Sequence, residues 1–224
     1  STTNEDGLGN GVYNDDVMTM AGDAQVSGDN DVYLDEAMIT VTGGLTSVGF
    51  AATITSRSTN SGTRVVTVSD GSGVTLGDVV GFFTLAVGGD ELVADADSGA
   101  ILRAAPFDAW LLRRGYELDD PDYASDVDVD HDGATTWEEY IADTDPSNGT
   151  SVLKVSEQDI SPQAVLTFGA STNRAYSLYY TLELTSGEWQ EAVTNVQGTN
   201  ATMSLSDDAE YERVYYRVEA QLLP

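Results

Sequence analysis

The sequence predicts a mainly β protein, with an N-terminal β domain and a C-terminal β-sandwich joined by a short helical segment. Three observations carry that reading. Short runs rich in Val, Thr and Ile recur along the chain, and their turns draw on 22 glycines against only 5 prolines. Helical spacing of apolar residues is confined to a stretch between 106 and 142. The last third repeats short strand-like runs with turns between them, the pattern of two small packed sheets. Boundaries fall at 1–105, 106–149 and 150–224. A chain of 224 residues is long enough for one or two domains with cores of their own.

In residues 1–105 the candidate strands are Val17–Met20, Ala37–Val41, Val48–Thr55, Thr63–Val68, Val79–Val87 and Glu91–Ala94. Ala51-Ala52-Thr53-Ile54-Thr55 and Arg64-Val65-Val66-Thr67-Val68 read as a hairpin across the polar loop Ser56–Gly62. The run from Gly77 to Leu85 is apolar enough for a central strand. Asp70-Gly71 and Gly88-Gly89-Asp90 mark turns. Val12-Tyr13-Asn14-Asp15-Asp16-Val17-Met18 is echoed by Val32-Tyr33-Leu34-Asp35-Glu36-Ala37-Met38 at an offset of 20 residues. A solenoid needs about three copies, so the echo is read as two similar strand entries, with chance as the alternative.

Residues 106–149 change character. Pro106 suits the first turn of a helix that places Phe107, Trp110, Leu111 and Arg114 on one face, and Gly115 is a plausible stop. An acidic stretch follows, then a second helical segment over Trp137–Ala142, ended by Asp145-Pro146 and the linker Ser147-Asn148-Gly149. Residues 150–224 carry candidate strands at Val152–Val155, Ala164–Phe168, Tyr176–Leu182, Trp189–Val193, Thr202–Leu205 and Arg213–Ala220. Alternation puts Val214, Tyr216 and Val218 on one face.

Charge narrows the partners. Nine basic residues stand against 38 acidic ones, for a formal net charge of −29. Phosphate neutralisation needs a basic face, so nucleic acid is not expected as a partner. An anionic membrane surface is disfavoured for the same reason. No apolar run approaches the roughly 18 residues of a membrane-inserting span. There is no cysteine, which removes disulfides, thiolate nucleophiles and cysteine-based zinc sites. Lys154 is the single lysine. Such an excess of carboxylate fits a salty or calcium-rich exterior, where cations screen self-repulsion; a merely acidic soluble protein is the plain alternative. The chain opens on Ser1 without an n-region or h-region, which reads as a secreted chain freed of its signal peptide, or as an excised piece.

One motif carries chemistry. Asp128-Val129-Asp130-His131-Asp132-Gly133-Ala134-Thr135-Thr136-Trp137-Glu138-Glu139 fits D-x-D-x-D-G-x5-E, a calcium loop. Calcium takes six to eight hard oxygens at about 2.3–2.6 Å. Asp128, Asp130 and Asp132 supply side chains at loop positions 1, 3 and 5. Gly133 allows the sharp turn. Ala134 offers its carbonyl at position 7, Thr136 contributes at position 9 directly or through water, and Glu139 brings both carboxylate oxygens at position 12. A solvated acidic loop without an ion is the competing reading. With no second complete loop and no Met-rich helix, the ion is expected to be a structural staple and not a sensor.

These residues carry a resemblance. The stretch from Asp126 through Glu139-Tyr140-Ile141-Ala142-Asp143-Thr144-Asp145-Pro146 resembles the EF-hand-like, thrombospondin type 3-like calcium segment of secreted bacterial proteins. Thr136 stands where that pattern has Asn, and Asp143 where it has Gly. Tyr176-Ser177-Leu178-Tyr179-Tyr180, Leu184-Thr185-Ser186-Gly187-Glu188-Trp189 and Arg213-Val214-Tyr215-Tyr216-Arg217-Val218 are similar to the small β-sandwich that follows such segments. The resemblance spans about half the chain, 106–220, and leaves residues 1–105 unassigned. It implies secretion, bound calcium and a non-catalytic role at a cell surface or matrix.

Catalytic sets are missing from the sequence: no G-x-S-x-G, no phosphate-binding glycine loop and no H-E-x-x-H. His131, the single histidine, sits at loop position 4, which points outward. An enzyme is therefore not expected. The expectation is a secreted calcium-binding structural protein that self-assembles into an extracellular filament, sheath or surface layer, with other copies of itself as partners. Strands near 1–20 or 218–224 would complete a neighbour's sheet, and calcium would hold the two β domains at a fixed angle. The alternative is a non-catalytic carbohydrate-binding or adhesion module of a larger secreted protein. Polysaccharide would then stack on Trp189 and the tyrosines Tyr176, Tyr179, Tyr180, Tyr215 and Tyr216.

Overall fold

The computed structural model describes residues 11–26, 30–46, 49–86, 88–159, 163–208 and 210–223. The expected strand ends at Val48 and Val87, residues 1–10 of the expected contact segment, and Pro224 lie outside them. The chain is mainly β, as expected, and divides into two compact units, Ser1–Leu118 and Asp119–Pro224.

The first unit contains β1 (Val12–Asn14), β2 (Val17–Gly22), β3 (Val32–Leu34), β4 (Met38–Leu45), β5 (Ala52–Ser56), β6 (Thr63–Val68), α1 (Leu76–Val79), β7 (Phe83–Leu85), β8 (Glu91–Asp95), β9 (Ala100–Ala104) and α2 (Pro106–Arg113). Strands alternate between two sheets. One has the order β1-β3-β5-β7 and is parallel throughout; the other, β2-β4-β6-β9-β8, is parallel until β9 and β8 close it antiparallel. The chain therefore winds, laying one strand in each sheet per pass. Val12 aligns with Val32, Val32 with Ile54 and Ile54 with Leu85. Across the other sheet Met18, Ile39 and Val66 align, and so do Thr19, Thr40 and Thr67. Ile39 and Val66 are fully buried, and the interleaved threonines lie on the opposite face, as the period of two demands.

This corrects the reading of the echo. The two V-Y copies are successive coils of a solenoid, with Tyr13 stacked on Tyr33 at a centroid distance of 5.5 Å. Later coils keep the register and lose the sequence similarity, because stacking requires only apolar residues at the inward positions. The expected hairpin is also overturned. β5 and β6 lie in different sheets, and the loop between them carries the chain across the core. Parallel neighbours cannot be joined by a tight turn, so each inner strand pairs with the coils before and after it.

The expected central strand over Gly77–Leu85 is mostly helical. Thr75 accepts from the Asp78 N–H at 3.3 Å while the Asp78 carboxylate accepts from the Thr75 N–H at 2.8 Å. This capping box starts α1, a 3-10 turn follows over Val80–Phe82, and only the three-residue edge strand β7 remains. β9 was unforeseen: all five of its residues are buried, so it shows no polar alternation, and Arg103 interrupts its apolar run. That arginine is satisfied by Asp90 at 2.5 Å and the Ser58 carbonyl at 3.3 Å.

The second unit contains α3 (Thr136–Ala142), β10 (Val155–Asp159), β11 (Ala164–Gly169), β12 (Arg174–Thr181), β13 (Gln190–Gln197), β14 (Thr202–Asp207) and β15 (Tyr215–Leu222). Two antiparallel three-stranded sheets, β10-β11-β14 and β13-β12-β15, form the sandwich. Its core is Ala164, Leu166, Phe168, Tyr176, Leu178 and Leu205, with the Phe168 and Tyr176 rings 5.1 Å apart. Trp137, at 45% exposure, is a surface residue, tilted against Tyr140.

Candidate metal centre

The loop expected to bind an ion lies wholly within the second unit. It leads directly into α3, and the local sequence explains why. Thr135 accepts from the Glu138 N–H at 3.3 Å, and the Glu138 carboxylate accepts from the Thr135 N–H at 2.8 Å. Donation to its carboxylate by the Thr135 N–H, and then by the Thr135 hydroxyl at 2.9 Å, holds the Glu138 carboxyl below its usual range. The two adjacent glutamates thus divide the work: Glu138 caps the helix, and Glu139 turns inward and is 1% exposed.

Backbone hydrogen bonds inside the loop consume one oxygen of each aspartate. Gly133 N–H donates to Asp128 Oδ2 at 3.0 Å, Asp132 N–H to Asp130 Oδ1 at 3.2 Å, and Ala134 N–H to Asp132 Oδ1 at 2.8 Å. Gly133 has φ 99°, where a side chain would be strained. The remaining oxygens, Asp128 Oδ1, Asp130 Oδ2 and Asp132 Oδ2, are buried without a hydrogen-bond partner, as is Glu139 Oε1. One carboxylate oxygen from each of the three aspartates lies within 4.8 Å of the others. This cluster can hold a metal ion. Burial, with the carboxylates of Asp130, Asp132 and Asp145 adding to it, pushes the Glu139 carboxyl up to about 7.

Of the expected ligands, the structure brings Asp128, Asp130 and Asp132 together and buries Glu139. The Ala134 N–H is spent within the loop, which leaves its carbonyl role untouched. Thr136 is fully buried and its hydroxyl donates to the Val127 carbonyl at 3.0 Å. His131 is exposed, as its loop position implies.

Several supporting residues were not foreseen. Asp143 adopts the left-handed conformation at φ 60° and ψ 40°, with its N–H directed at the Glu139 and Tyr140 carbonyls. Aspartate tolerates that region better than most residues. Its carboxylate accepts from the Ser171 hydroxyl at 2.5 Å. The stretch read as a linker folds back on the loop. A Cβ on Gly149 would lie 3.4 Å from the Asp130 carbonyl oxygen, and Asp145 N–H donates to Ser151 Oγ at 3.0 Å. Arg174, at the start of β12, is 6% exposed and donates from Nε to the Ile141 carbonyl at 2.8 Å. The T-D-P signal after the helix marks this fold-back in the sequence; nothing in the sequence marks Arg174.

Compared with protein-family models, curated proteins and solved structures, the chain matches none of them.

Proposed function

We propose that this is a secreted, non-catalytic structural protein whose second unit is stapled by calcium and which assembles outside the cell with other copies of itself. The observation that carries the metal is the set of four buried carboxylate oxygens without a partner, from loop positions 1, 3, 5 and 12. An all-oxygen donor set with four formal negative charges suits a hard divalent cation, and the loop spacing suits calcium. Asp128, Asp130, Asp132 and Glu139 would supply side-chain oxygens and Ala134 its carbonyl. Thr136, engaged with Val127, would act through water.

Assembly is favoured by the winding first unit. Among the described residues, β1 and β2 each pair on one side only, and Val12, Tyr13 and Val17 beside those free edges are 40%, 42% and 73% exposed. Unpaired edges take a strand from another chain. Calcium would also screen repulsion between subunits of charge −29. The carbohydrate-binding alternative is weakened at Trp189, where the Arg217 guanidinium already lies 4.4 Å from the ring centroid.

Light scattering and electron microscopy in calcium and in chelator test the proposal. Larger species that disperse on chelation are expected; a monodisperse monomer indifferent to calcium would contradict assembly.

A further inference from the structure

We infer that Arg174 is a positioning residue for the metal centre: it holds α3 in the pose that presents Glu139, and so couples ion occupancy to the folding of the sandwich. This rests on the calcium reading above.

The geometry is a clamp. α3 has seven residues, too few to persist alone in water. Its N-terminus is fixed by the Thr135–Glu138 box; at its C-terminus the Asp143 N–H reaches the Glu139 and Tyr140 carbonyls, and the last carbonyls keep lone pairs for further donors. Arg174 provides them: Nε donates to Ile141 O, a terminal nitrogen donates to Tyr140 O, and the other terminal nitrogen donates to its neighbour's carbonyl at Asn173, 2.9 Å away. The guanidinium also lies 5.4 Å from the Tyr140 ring centroid and 3.9 Å from Asp143 Oδ1. It is a cation placed at a helix C-terminus, where the helix dipole favours it. Arg174 starts β12, which lies between β13 and β15 and contributes Tyr176 and Leu178 to the core. Glu139 sits one residue before the first clamped carbonyl. A frayed α3 would withdraw the position-12 carboxylate, and calcium binding would then have to order the helix as well. Linkage makes the effect mutual: whatever Arg174 adds to calcium affinity, calcium returns to the sandwich.

The test is calcium titration of the full chain by calorimetry, with terbium luminescence sensitised by the nearby Trp137 and Tyr140 as a second readout. Arg174→Gln is expected to weaken calcium binding by about tenfold or more, the usual cost of losing a group that orients a ligand. Arg174→Lys, which retains the charge but not the fork, should recover only part of it. Equal affinity in wild type and Arg174→Gln overturns the inference while leaving the calcium reading intact; a wild type that binds no calcium overturns that reading instead. If Arg174→Gln does not fold, hydrogen exchange on the wild type decides. Calcium should slow exchange in β12 and β15 as well as in the loop, and protection confined to 128–139 would refute the coupling.

Discussion

The two units solve the same problem with different means. In the first, fourteen buried side chains among the described residues, from successive coils, stack into one cluster running from Met20 to Ile101, and each coil is the template for the next. In the second, six buried apolar side chains among the described residues form the sandwich core, and the same unit holds a cluster of carboxylates with four buried oxygens that have no hydrogen-bond partner. Small β domains are marginal on apolar burial alone. If the proposed calcium site is right, stability in the first unit is a property of the chain, whereas in the second it depends on the solution.

Cavities give the largest expected effect and can break the contrast outright. Ile39→Ala and Leu178→Ala each remove a fully buried side chain, at about 2–5 kcal/mol. In thermal melts calcium should raise the weakened transition of Leu178→Ala, by about 2.7 kcal/mol at a hundredfold excess over Kd, and leave that of Ile39→Ala unmoved. Equal rescue of both would erase the distinction between the units.

A smaller effect, in pH, sharpens it. Burial raises the Glu139 carboxyl from 4.5 to about 7 in the metal-free protein, so the folded state holds that proton more tightly than the unfolded chain does. Stability contributed by the protonated form is present below the unfolded value and is lost as pH rises through the folded one. The metal-free second unit should therefore weaken between about pH 4.5 and 7. Calcium binding near pH 6 should release about one proton, measurable by calorimetry in buffers of different ionisation enthalpy, and near pH 8.5 almost none. Proton release that is identical at both pH values would contradict the assignment to Glu139.

What could be read from the sequence follows the same divide. The loop was legible because Asp128, Asp130 and Asp132 converge within a few residues of one another and Glu139 follows on the next helix, so a local pattern encodes a local object. β11 was legible because it alternates, whereas the strand read over Val152–Val155 meets the observed β10 only at Val155, since β10 is exposed along its whole length and carries no pattern. The solenoid was not, because its defining contacts join Val12 to Val32 and Val32 to Ile54, and only the first pair shares a sequence context. β9 was hidden by being buried on every side, and Gly77–Leu85 by a capping box that outweighed its β-like composition. Arg174 was invisible because its partners, the Tyr140 and Ile141 carbonyls, are backbone groups that any residue would carry.

The central claim is that the unpartnered oxygens of Asp128, Asp130, Asp132 and Glu139 are held for one calcium ion. Equilibrium dialysis with millimolar calcium tests it most directly, on the wild type and on Glu139→Gln. A single calcium per wild-type chain, with affinity sharply reduced in the variant, is the expected result. No bound calcium in the wild type, or the same binding in both proteins, would contradict it.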